Sequence, residues 1–173
     1  MKRIFFITIL LIATVSISAQ NSFEQFDFLI GNWQGVETGV AGNGIGFRTY
    51  SYELNKNYIV QKNQSTFPIS EKKPKGEVHR DFGVISYNSN DSSIVFRQFH
   101  VEGFTNIFVL DKKLSTDTKL VFITREIENN PGKWVAKSTI TKISDTEFID
   151  SFEIAMDGVN FTPFIKNHWY KVE

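Results

Sequence analysis

Cysteine is absent from the 173 residues, which rules out a disulfide framework and a lipidated amino-terminal cysteine. A charge excess is absent too. Nineteen Lys and Arg stand against nineteen Asp and Glu, so nothing in the balance points to nucleic acid or an anionic membrane as the main partner. Long apolar runs are missing with one short exception, Ile4–Val15. That run falls short of the ~20 residues of a spanning helix. Lys2 and Arg3 precede it, and the small residues Ser16, Ser18 and Ala19 follow. This is the three-part pattern of a secretory signal peptide, with cleavage expected after Ala19 and no membrane anchor left behind. The expected mature chain, residues 20–173, keeps 17 basic and 19 acidic residues, a balance of −2. It has the length of a single domain with one core, exported to the periplasm or beyond.

Repeats and low-complexity tracts are also lacking. What is present is phenylalanine, 17 in all, and a succession of short alternating runs. "NSFEQFDFLIG" places Phe23, Phe26 and Leu29 or Ile30 on one face of a short helix that Gly31 ends. After it come roughly ten strands rich in Val, Ile, Thr, Phe and Tyr, from "NWQGVETG" to "NFTPFIKNHWYKV". "NNPG" at 129–132 and Asp157-Gly158 read as turns between them. A meander of ten strands with no crossover helices must hide its edges. The expected fold is therefore all-β, a closed antiparallel up-and-down barrel with a short amino-terminal helix, with a two-sheet sandwich as the alternative.

Familiar catalytic signatures are missing. Gly42, Gly44 and Gly46 in "GVAGNGIGF" lead into a strand, whereas phosphate cradling needs a helix amino terminus. They fit a hairpin loop at a barrel mouth instead. The three histidines, His79, His100 and His168, show no H-x-x-x-H or H-E-x-x-H spacing, and no serine sits in a glycine-flanked elbow. No metal or cofactor is expected from local motifs. Strands can still assemble a site from residues far apart. On "EVHRDFGVISYN", His79 and Asp81 share one face and Val78, Arg80, Phe82 and Val84 the other. On "SIVFRQFHVEG", Gln98, His100 and Glu102 alternate with Val95, Arg97, Phe99 and Val101. A two-residue loop at Ser89-Asn90 would set His79 opposite His100 and gather His79, Asp81, His100 and Glu102 for proton transfer or metal binding. A three-residue loop would bring Arg97 to the face of Asp81. By hydrophobicity the Val/Phe face looks like the inside. That reading makes Arg97 an anion partner for a ligand.

The stretch "FDFLIGNWQGVETG", with Leu29, Gly31, Trp33 and Gly35, resembles the nitrobindin-like group of calycin-type barrels. "HRDFGVISYN" and "FRQFHVEGF" resemble exported bacterial members of that group. The resemblance implies a ten-stranded barrel with a central cavity. In its haem-binding members a histidine follows a proline near the start of the last strand. Here Phe164 follows Pro163, and the nearest histidine is His168, so haem is not expected.

The leading expectation is a binder of a small, mainly apolar ligand, with or without an acidic group, with Trp33, Phe82, Arg97 and Phe99 lining its cavity. An enzyme using His79, Asp81, His100 and Glu102 is the rival. A structural or interaction protein with a filled cavity is the third reading. Fold alone does not choose among them.

Overall fold

The computed structural model describes residues 23–173 except Ala41, Lys72 and Pro131; the signal-peptide reading lies outside the described residues. A 3-10 helix, Glu24–Leu29, leads into ten strands. These are β1 (Gly31–Gly39), β2 (Gly44–Glu53), β3 (Tyr58–Phe67), β4 (Glu77–Asn88) and β5 (Ser93–His100), then β6 (Thr105–Leu110), β7 (Lys119–Glu128), β8 (Val135–Ser144), β9 (Glu147–Ala155) and β10 (Thr162–Val172). Every neighbouring pair in the chain is antiparallel, and β1 pairs with β10 to close the barrel. The barrel expectation holds and the sandwich does not. Closure satisfies both edges, which an open meander of this length would leave as templates for aggregation.

The helix shows why the spacing of its apolar residues matters. Phe23, Phe26 and Leu29 are all buried, and an interval of three matches the three residues per turn of a 3-10 helix. The helix covers one end of the barrel. Beneath it Trp33 donates from Nε1 to the Leu29 carbonyl at 2.7 Å and meets the edge of Phe148 at 4.6 Å between centroids. Phe96, Phe108 and Phe122 complete this apolar half with Ile59, Ile85 and Leu120. Burying each such ring or branched chain contributes about 1.5–3 kcal/mol.

The other half of the interior is polar. Glu37, Arg48, Gln61, Asn63, Ser65, Asn106 and Asn167 are all buried there. Two glycines make room for it. Gly35 and Gly46 are opposite each other on β1 and β2, and the Trp169 ring lies against both. A Cβ at either would come within 2.6 Å of that ring. Gly44 and Gly46, read from sequence as loop residues, belong to β2; the intervening loop is residues 40–43.

Candidate functional site

The β4–β5 hairpin fixes the centre of the site. Asn88 pairs with Ser93, so the loop holds four residues rather than two or three. Asp81 then lies opposite His100, and Gly83 opposite Gln98. Relative to the two-residue expectation the partners have moved by two, which keeps every side chain on its face. The interior face carries His79, Asp81, Gln98 and His100, as the cavity lining confirms.

The four residues grouped as acid–base or ligand candidates do come together. His79 Nε2 is 2.8 Å from Asp81 Oδ1, and its Nδ1 is 2.9 Å from Glu102 Oε1. His100 Nδ1 is 2.6 Å from the same Asp81 Oδ1, an ion-pair contact. Asn106 contacts the other ring nitrogen at 3.0 Å, and Phe104 stacks on the ring at 4.1 Å. The hydrogen bond to Asp81 is the main reason the His79 pKa is pushed up to about 9, against the opposing effect of burial. Burial alone would raise the Asp81 carboxyl. His100 and His79 beside it outweigh that and hold it well below the usual range.

A second polar cluster adjoins the first. Arg48 is buried at 6% exposure, with Nη1 2.7 Å from Asp150 Oδ2 and Nε donating to Asn63 Oδ1 at 2.9 Å. Its guanidinium lies 4.1 Å from the centre of the Trp169 ring, whose Nε1 donates to Asp150 Oδ1 at 2.8 Å. Burial works against the Arg48 charge, but the Asp150 carboxylate more than restores it. Asn63 also donates to Asp81 at 3.3 Å and so joins the two clusters. Glu37 accepts a hydrogen bond from Ser65 at 2.6 Å. Burial pushes its carboxyl up, partly offset by Ser65 and Arg48.

These groups surround an interior cavity of about 280 Å³, whose apolar patches come from Phe67, Phe96, Phe104, Ile140, Phe152 and Phe164. A larger groove of about 780 Å³ runs beside Phe47, Phe82 and Phe99, but it is open and shallow. The enclosed cavity is where the buried polar groups converge.

The ligand-lining expectation needs correction. Arg97, Phe82 and Phe99 are on the outer face. Arg97 Nη1 donates to Ser86 Oγ at 3.0 Å. Phe82 and Phe99 pair across β4 and β5 at 6.1 Å, each about two-fifths exposed. Trp33 points inward but belongs to the covered end and is not among the residues lining the cavity. The buried arginine exists, at Arg48. Where the β4–β5 hairpin meets the cavity, Val78, Phe82, Phe99 and Val101 are outside while His79, Asp81, Gln98 and His100 are inside.

His168 also faces outward, 2.6 Å from Glu147 and 4.5 Å from the Tyr170 ring. A register shift between Pro163 and Ile165 separates it from the parity expected relative to Phe164, which lines the cavity. Sequence reasoning missed Glu37, Arg48, Gln61, Asn63 and Asp150. A usable signal was the phase of β2, where Arg48 and Tyr50 alternate with Phe47 and Thr49 in step with the two glycines.

Fold and site together define a closed ten-stranded β-barrel, covered at one end by a helix, with a polar-walled cavity toward the other. The crystal structure of Rv2717c from M. tuberculosis is similar, with a TM-score of 0.68 at 15% identity over 88% of this chain and 98% of that one. A redesigned β-barrel has a TM-score of 0.44 at 14% identity, covering 84% of this chain and 93% of its own. EF1p2_mFAP2b bound to DFHBI has a TM-score of 0.44 at 13% identity, covering 90% and 98%. No family model and no curated protein matches the chain. At 15% identity the likeness to Rv2717c is one of fold.

Proposed function

We propose that this protein is an exported barrel that binds a small polar or amphipathic molecule in its interior cavity, on the nitrobindin-like plan that its first strand resembles. One observation carries the reading. Two buried side-chain oxygens, Gln61 Oε1 and Asn167 Oδ1, have no hydrogen-bond partner, and their side chains line the cavity. Buried polar atoms are otherwise nearly always satisfied, and a ligand with hydrogen-bond donors would satisfy the two acceptors. The cavity, about 280 Å³, falls just below the ~300–1,000 Å³ common for ligand pockets. Its size and walls favour a compact polar molecule over the mainly apolar acid first expected, whose anion partner was to be Arg97.

Acid–base catalysis is the weaker reading of the same residues. A general acid or base works best with a pKa near the operating pH. His79 is instead held charged by Asp81, and Asp81 is held charged by the histidines.

Native mass spectrometry of the protein from its own host tests the binding reading. A small molecule retained at one per chain is expected, and it should be lost in Ser138→Phe, which places a ring in the cavity. A folded wild-type protein that carries nothing, and that binds no member of a polar-metabolite panel, refutes it. Amino-terminal sequencing of the same material should begin at Gln20.

A further inference from the structure

We propose that the cavity wall holds a divalent first-row metal ion, best fitted by Zn²⁺, on His79, His100 and Glu102. Each residue offers one ligand atom, and the three atoms lie within 4.8 Å of one another. Zinc bonds of ~2.0–2.2 Å to nitrogen and oxygen bring tetrahedral ligands to about 3.4 Å apart, so closure needs a shift of roughly an ångström. Glu102 can supply it. Its side chain is 47% exposed, and it lies in the turn after β5 rather than in the sheet.

The two imidazoles are more firmly placed. Asp81 pairs with His100 across β4 and β5, and His79 is two residues along β4 on the same face. Asp81 faces His79 Nε2 at 2.8 Å while the opposite nitrogen, Nδ1, faces Glu102. That is the arrangement in which a carboxylate orients a ligating histidine from behind.

His100 is held from both sides, with Nδ1 2.6 Å from Asp81 Oδ1 and Nε2 3.0 Å from Asn106, so the metal would take the place of one of these contacts. Two nitrogens and one carboxylate suit zinc or another first-row ion and are a poor match for Ca²⁺ or Mg²⁺, which prefer oxygen. The three side chains also line the cavity. A fourth coordination position would therefore open into it, for water or for a donor atom of a bound molecule.

The test uses chelator-treated full-length protein, titrated calorimetrically with Zn²⁺ and followed by absorption with Co²⁺. One ion per chain is expected, with visible Co²⁺ bands typical of a site of low coordination number. His79→Ala and His100→Ala should each weaken Zn²⁺ by more than about 100-fold, and Asp81→Asn by about 10–100-fold. Glu102→Gln, at a half-exposed position, supplies a variant that should fold normally and still bind more weakly. His168→Ala, which alters only the outer pair with Glu147, should leave affinity unchanged. The proposal is overturned by absence of saturable binding, by equal affinity in the folded Glu102→Gln and wild-type proteins, by loss in His168→Ala instead, or by preference for Mg²⁺. Small-molecule binding measured on the chelated protein reports separately on the cavity, so either idea can fail alone.

Discussion

Replacing Arg48 by Met would expose how strongly the polar half of the barrel depends on one buried charge pair. Met keeps much of the bulk and removes the guanidinium, leaving Asp150, at 13% exposure, with the Trp169 indole as its remaining donor. Breaking a buried pair from one side costs about 3–5 kcal/mol, because the surviving charge stays desolvated. The lost hydrogen bond to Asn63 and the stacking on Trp169 are included in that sum. With a urea dependence of about 2 kcal/mol per molar, the unfolding midpoint should fall by about 2 M at pH 7.5. Asp150→Asn added to Arg48→Met should recover at least half of the loss. A single-variant loss below about 1 kcal/mol, as for exposed pairs, would refute the reasoning. So would a double variant no more stable than Arg48→Met.

Three further outcomes follow from the same geometry. In chelator-treated protein, His79 should stabilise the fold fully below its ordinary pKa of 6.5, and that contribution should fade as pH rises through about 9. The shift sets an upper bound of ~3 kcal/mol, which solvent around a partly exposed ring cuts to about 1–2 kcal/mol; urea unfolding across this range should flatten in His79→Gln. Gly46→Val should destabilise by about 1–3 kcal/mol, since its Cβ would come within 2.5 Å of Glu37 Oε1 and of the rigid Trp169 ring. Tryptophan emission and urea melts would show it, and a neutral result would mean that Trp169 is free to move. Added hemin should give no saturable Soret band, because Phe164 follows Pro163 and His168 faces outward; a band abolished by His168→Ala would contradict this.

The fold was legible because its evidence is local. Strand periodicity, Asp157-Gly158 and the lack of crossover helices each act over a few residues, and all ten strands appear where alternation put them. The grouping of His79, Asp81, His100 and Glu102 was legible as a shared face. What was not legible was which face turns inward. Val78, Phe82, Phe99 and Val101 alternate with His79, Asp81, Gln98, His100 and Glu102, and a burial rule assigns the apolar set to the core. At this end of the hairpin the rule is inverted, because the cavity wall here is polar and Phe82 and Phe99 are outside. Local patterns fail most often where function overrides packing. The inversion is thus itself a marker of the site. Arg48 was overlooked because no inward face was assigned to its strand. Trp33 could have set the phase: it faces inward, and carrying the registers from β1 through β2 and β3 leads to Arg48, Asn63 and Asp81.

The pairing of β1 with β10 also governs how the chain reaches this state. Asn32 finds its partner in Val172, nearly the whole domain away, so the last seam cannot form until the final strand is available. Until then β1 and β9 each present an unpaired edge, the kind of surface that recruits strands from other chains. Such long-range pairing makes folding slow, on the scale of milliseconds to seconds. A chain emerging amino terminus first, from a ribosome or across a membrane, must keep those edges apart from its neighbours for that whole interval. Removing residues 162–172 would make that interval permanent.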